Sequence, residues 1–289
     1  IYPTFLGKKY NFNKLFLHNY PVEIVNTMKR RADHWYRVKQ QCTWRPLSIH
    51  RLLKFDNIYK DLSLITITNS GYKRLTDNTL ESFNKLGLSL KPKIYCMDES
   101  CKEYYNTKSY PTKLLDTNFP DSCEYSTKHW SLVTMQKLVG IHEELLGGAP
   151  YVFMFDGDII FKDINAICHI YDYILDNPEI DMICQNEYQD ENGKFELNTG
   201  YLLVRNNDKT KDFFNPNNYI GKYNNDQNYV NNMKSKLNIH VLENDKFPNG
   251  KYFYEIQPKT PYIIHFNFVK GHQKESKMKN YNCWYLKES

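Results

Sequence analysis

Apolar residues in this chain fall in short runs separated by polar, Gly- and Asn-bearing punctuation, the spacing of a protein that alternates strands and helices. Leu62-Ser63-Leu64-Ile65-Thr66-Ile67-Thr68 is rich in β-branched residues and predicts a strand that halts at Asn69-Ser70-Gly71-Tyr72. Apolar positions from Leu75 to Leu86 then follow helical spacing, and Lys93-Ile94-Tyr95-Cys96-Met97, stopping before Asp98, predicts a second strand. Strand, helix, strand in that order reads as a βαβ unit in a parallel sheet.

A helix is predicted from His129 to Leu146, where Leu132, Met135, Leu138, Ile141 and Leu145 share a buried side and Gly147-Gly148 ends it. The apolar run Tyr151 to Phe161 follows as a buried strand, interrupted by Asp156-Gly157-Asp158. Further elements are a helix from Ile164 to Leu175, short strands at Asp181–Cys184 and Leu197–Val204, and an Asn-rich loop from Asn215 to Asn232 with a helix starting near Asp226. A last strand, Tyr262 to Asn267, runs into Gly271-His272-Gln273-Lys274. Residues 1–56, polar, aromatic and basic, predict a helical and looped extension packed on a single α/β domain over 57–289.

Composition narrows the classes. At 289 residues, 41% hydrophobic and 25% charged, the chain can bury a sizeable core and is not globally disordered. A net charge of +5 calls for no nucleic-acid partner and suits phosphate-bearing ligands. The seven cysteines include no C-x-x-C pair and read as reduced thiols. No N-x-[ST] acceptor, signal peptide or run of the ~18 apolar residues that span a membrane is present. A cytoplasmic location is therefore the expectation, one that a segment upstream of Ile1 would change.

The chemistry centres on Asp156 and Asp158. Burying two carboxylates in an apolar run is costly unless a divalent cation shares them, and Gly157 between them allows close backbone approach. Other candidates have plainer readings when taken singly. Asn198-Thr199-Gly200 suits a turn before a strand, Asp226-Gln227 a helix start, and His265 a satisfied core histidine. Lys274 falls in a basic cluster with Lys270, Lys277 and Lys279.

Taken in order, however, Thr68-Asn69-Ser70-Gly71-Tyr72, Lys137, Asp156-Gly157-Asp158, Asn198-Thr199-Gly200, Asp226-Gln227 and His265-Phe266-Asn267 with Gly271 and Lys274 resemble glycosyltransferase family 77, and also family 8. The resemblance spans about Asp61 to Lys279. It implies a GT-A fold, Rossmann-like, with a mainly parallel mixed sheet flanked by helices. It implies Mn²⁺ or Mg²⁺ on Asp156, Asp158 and His265, with Asp156 and Gly157 also against the donor. Thr68, Asn69, Ser70 and Tyr72 would hold the nucleoside, and Lys137, Gly271 and Lys274 the sugar and phosphates. Asn198, Asp226 and Gln227 would line the sugar and acceptor side as catalytic residues. The implied reaction is metal-dependent, retaining transfer from a nucleotide-diphosphate sugar, UDP- before GDP-linked, to a glycan or protein acceptor. A phosphatase of the HAD type and a non-catalytic nucleotide-sugar or nucleic-acid binding module are the alternatives.

Overall fold

The computed structural model describes residues 60–115, 128–189 and 195–287. The expected extension over 1–56 lies outside them. The described chain runs β1 (Leu62–Thr68), α1 (Lys73–Asn84), β2 (Lys93–Cys96), α2 (Glu99–Thr107), β3 (Thr112–Leu114), α3 (Lys128–Leu146), β4 (Tyr151–Phe155), β5 (Ile159–Phe161) and α4 (Asn165–Asp176). It continues through β6 (Met182–Gln189), β7 (Phe195–Arg205), α5 (Asp208–Phe213), α6 (Asp226–Met233), β8 (Ile239–Val241), α7 (Gly250–Ile256), β9 (Ile263–His265) and α8 (Gly271–Asn280).

Seven strands form one sheet in the order β3-β2-β1-β4-β7-β6-β8, with β5 and β9 paired separately. Neighbours are parallel from β3 through to β4, β7 is antiparallel to both β4 and β6, and β8 is parallel to β6. The sheet is thus mixed but mainly parallel, and β1-α1-β2 is the expected βαβ unit. From β1 the chain moves outward to β2 and β3, then returns through α3 to β4 on the other side of β1. That reversal opens a crevice beyond the C-terminal ends of β1 and β4, where such sheets bind ligands.

All five residues of β4 are buried, as a strand covered on both faces requires. Val152 and Met154 meet Leu138, Ile141 and Leu145 of α3 in one core. Facing the other way, Phe155 stacks on Phe83 of α1, with ring centroids 6.1 Å apart. Phe161 closes that cluster edge-on to Phe83 at 5.3 Å. Each such ring contributes ~2 to 3 kcal/mol of burial.

Three expectations are corrected. The run from Tyr151 to Phe161 is two strands, not one, and the Asp pair occupies the turn between them. The strand beginning near Asp181 extends to Gln189, five polar-rich residues past an apolar start. Asp98 does not merely end a strand: its carboxylate accepts from the Cys101 backbone N–H at 2.7 Å and caps α2, a helix the apolar spacing did not announce. Cys96, Cys101, Cys168, Cys184 and Cys283 are buried free thiols, as expected; Cys42 and Cys123 lie outside the described residues. Among the described residues no helix is long and apolar enough to cross a membrane.

A cluster of polar contacts ties α3 to the sheet. The Glu144 carboxylate accepts from Ser63 Oγ at 2.7 Å, Tyr95 Oη at 2.6 Å and Lys93 Nζ at 2.5 Å. Burial alone would raise its pKa, but these donors hold it below the ordinary value of 4.5. A depressed folded pKa stabilises the fold above the unfolded pKa, and the stabilisation fades as pH falls through the folded value. Glu144→Gln is therefore expected to cost ~2 kcal/mol at pH 7. In urea titrations the gap from the parent should narrow below about pH 4.5, and a gap independent of pH would refute the assignment.

Candidate functional site

The Asp pair sits where β4 ends. Asp156 is held by its own N–H donating to Gly200 O of β7 at 2.8 Å, and Asp158 by its carbonyl accepting from Phe266 N at 3.0 Å. Pairing of β5 with β9 places Ile159 opposite His265, so His265 stands one step from Asp158. Asp156, Asp158 and His265 consequently offer three ligand atoms within 4.8 Å of one another.

The histidine's tautomer is fixed by its support. Gln185 Nε2 donates to Phe247 O at 3.0 Å, which turns Gln185 Oε1 toward His265 Nδ1 at 2.8 Å. A carbonyl oxygen only accepts, so Nδ1 carries the hydrogen and Nε2 presents its lone pair. That lone pair faces Asp158 Oδ1 at 3.3 Å and Asp156 Oδ2 at 3.9 Å. Three electron-rich atoms pointed together repel unless a cation lies between them. Two carboxylates and a neutral imidazole form a donor set that suits Mn²⁺, so the residues fit the implied metal.

Two lysines flank this cluster. Lys137 of α3 reaches Asp156 Oδ1 at 3.1 Å and Asp226 Oδ2 at 2.7 Å. Lys274 of α8 pairs with Asp158 and donates to Tyr72 Oη at 2.6 Å. Burial would lower both lysine pKa values, but the carboxylates beside them raise them, so both stay charged. Burial likewise pushes Asp156 upward, whereas the Lys274 ammonium overcomes burial at Asp158 and holds it well below the usual carboxylate range. The Tyr72 hydroxyl is pushed up by burial and by Asp158, and stays protonated.

Asp226, expected also to suit a helix start, is the first residue of α6, but Asn225 caps that helix. The Asp226 carboxylate instead accepts from Thr199 Oγ1 at 2.6 Å and from Lys137. Asn198 Oδ1 accepts from Gly200 N at 2.8 Å, while its NH₂ donates to Glu187 at 2.7 Å. Gln227 reaches the same carboxylate at 3.4 Å.

The nucleoside candidates lie at the end of β1, where their side chains are largely engaged within the protein. Ser70 donates to Asp98 through both N–H and Oγ, at 2.7 and 2.5 Å. Asn69 Oδ1 accepts from Tyr72 N at 2.9 Å, and the buried Thr68 hydroxyl accepts from Thr76 Oγ1 at 2.8 Å. Thr76 also accounts for Gly157: a Cβ there would lie 2.4 Å from Thr76 Oγ1, so the glycine admits α1 against the turn. Gly271 opens α8, and a Cβ would meet nothing within 4 Å.

Sequence reading missed Glu187 and Gln185, both on the part of β6 beyond Cys184. The available signal was three polar residues, Gln185-Asn186-Glu187, continuing directly from the apolar Met182-Ile183-Cys184.

The chain is similar to several known proteins. The family model described as nucleotide-diphospho-sugar transferase matches residues 92–280. A UDP-galactose:fucoside alpha-3-galactosyltransferase of Dictyostelium discoideum is 21% identical over 297 residues, covering 81% of this chain. The chain spans 45% of that protein's length. Similar solved structures include a glycosyltransferase involved in glycosylation of the major capsid of PBCV-1, at TM-score 0.48 and 15% identity over 76% of this chain and 98% of that one. The galactosyltransferase LgtC, with donor and acceptor sugar analogues, gives 0.48 and 12% over 78% and 98%. Mouse xyloside xylosyltransferase 1 gives 0.46 and 15% over 72% and 98%.

Proposed function

This chain belongs to the nucleotide-diphospho-sugar transferase family, and on that footing we propose that it is a metal-dependent, retaining glycosyltransferase using a UDP-sugar and a glycan or protein acceptor. The observation that carries the reading is the cluster of Asp156, Asp158 and His265 at the sheet's crevice, flanked by two buried lysines. A divalent cation held there would neutralise charge on a departing diphosphate.

The chain's own residues supply the rest. Lys137 and Lys274 are permanent positive charges beside the cluster, so stabilising a diphosphate leaving group needs no protein proton donor. Tyr72 and Asp158 fix Lys274, while Asp156 and Asp226 fix Lys137, so neither ammonium must be ordered at the moment of reaction. Retention demands no dedicated carboxylate base. Asp226 and Gln227, at the start of α6, line the side on which an oxocarbenium-like transition state would be stabilised. The family match favours this reading over the phosphatase.

The Dictyostelium relative's name puts UDP-galactose first in a donor panel and a fucoside first among acceptors. With Mn²⁺, one donor should yield free UDP and, with acceptor, a product whose anomeric proton reports an α linkage by NMR. EDTA should abolish both. A β-linked product contradicts retention, and absence of UDP release across the panel contradicts the transferase reading.

A further inference from the structure

Glu187 stands at a break in the strand register. Asn186 pairs with Leu197 and Tyr188 with Glu196, leaving Glu187 as the unpaired residue of a bulge in β6. Bulges re-aim side chains beside active sites. This one is gripped through its backbone, since Asn249 Nδ2 donates to Glu187 O at 2.7 Å and to Asn186 O at 3.0 Å.

Three amides from separate parts of the chain converge on the Glu187 carboxylate. Asn198 of β7 and Asn267 after β9 donate to Oε2 at 2.7 and 3.3 Å, and Gln227 of α6 donates to Oε1 at 3.4 Å. An ionised carboxylate only accepts, so each amide must show it the NH₂ and turn its carbonyl oxygen away. The oxygens of Asn198 and Asn267 are then taken by Gly200 N at 2.8 Å and Gly250 N at 2.6 Å. The Gln227 oxygen meets no such donor among the described residues.

Resting on the transferase reading, we propose that Glu187 is a positioning residue for the transfer: it locks the Gln227 amide so that a carbonyl oxygen, rather than an NH₂, is offered to the substrate. A lone pair is what a developing positive charge at a sugar carbon requires; an NH₂ in the same place would repel it.

The split use of the two carboxylate oxygens gives a test. Glu187→Gln keeps one oxygen for Asn198 and Asn267 but sets an NH₂ against Gln227, which must flip to accept. Turnover should fall about 100-fold, while donor KM, Mn²⁺ affinity and melting temperature stay near the parent's. The double variant Glu187→Gln/Gln227→Glu offers an oxygen at position 227 in either orientation, and should exceed the single Glu187→Gln variant by about tenfold. Turnover of Glu187→Gln equal to the parent's, or a double variant no better than Glu187→Gln, overturns the proposal.

A second readout needs no turnover. In protein labelled with ¹⁵N-glutamine, the Gln227 side-chain amide, identified by its loss in Gln227→Glu, should exchange slowly with water in the parent and fast in Glu187→Gln. Fast exchange in the parent overturns the proposal even before a donor is known. A parent that releases nucleotide from no donor sinks the transferase reading alone, leaving the amide result to stand by itself.

Discussion

Asp158→Asn is expected to lower sugar transfer by on the order of 10³ and to destabilise the metal-free protein, whereas Asp156→Asn should match it in lost transfer without the loss of stability. Both substitutions keep the shape of the side chain and remove one anionic ligand. Their environments differ, however. Asp158 is 2% exposed and paired with Lys274, so the fold stabilises its charge; a depressed folded pKa means stability present at neutral pH that neutralisation removes. Leaving Lys274 buried without its carboxylate should cost about 3 kcal/mol. The Asp156 side chain is 27% exposed and its charge is disfavoured by burial and by Asp158, while its partner Lys137 keeps Asp226. Neutralising Asp156 relieves that repulsion. Urea titrations in EDTA measure the stability and donor assays the transfer; equal destabilisation by the two variants would show that the lysine pairing is not what holds Asp158.

The second large effect comes from a residue with no side chain. Gly200→Ala should reduce metal affinity and transfer by about 10²-fold while leaving every ligand in place. A Cβ at Gly200 would lie 2.4 Å from His265 Cε1, 2.7 Å from Asp156 Oδ2 and 3.0 Å from Asn198 Oδ1. Glycine inside a strand marks such close approach. His265 cannot retreat without breaking its bond to Gln185, and Asp156 cannot without leaving Lys137. Overpacking of this kind costs ~1 to 3 kcal/mol of stability, so the melting temperature should fall as well. Full Mn²⁺ affinity in Gly200→Ala, measured by calorimetry, would show that the cluster is looser than these distances state.

The sequence revealed those parts of the molecule whose physics is local. Leu62–Thr68 shows its strand through β-branching, and the Asp pair is conspicuous because carboxylates are rare within apolar runs. His265 and Lys274 were different: alone, each had a plainer reading, and only their order along the chain raised them. The structure gives the reason, since β5–β9 pairing carries His265 across more than a hundred residues to Asp158. Glu187 was illegible for a sharper reason. Period-two alternation assigns a strand residue its face, and a bulge breaks that period at the very residue whose side chain matters. Gln185 was missed because its role is to orient another side chain. The sequence offers Gly157 for close backbone approach without saying to what, and the structure sets Thr76 of α1 against it.

The proposed transfer rests on Asp156, Asp158 and His265 holding a divalent cation against the diphosphate of a nucleotide. Calorimetric titration of UDP into the protein, with Mn²⁺ and again with EDTA, tests that most directly. Binding should be strong with Mn²⁺, lost in EDTA, and lost in Asp158→Asn whether or not the ion is present; UDP binding of equal strength in EDTA would contradict the account.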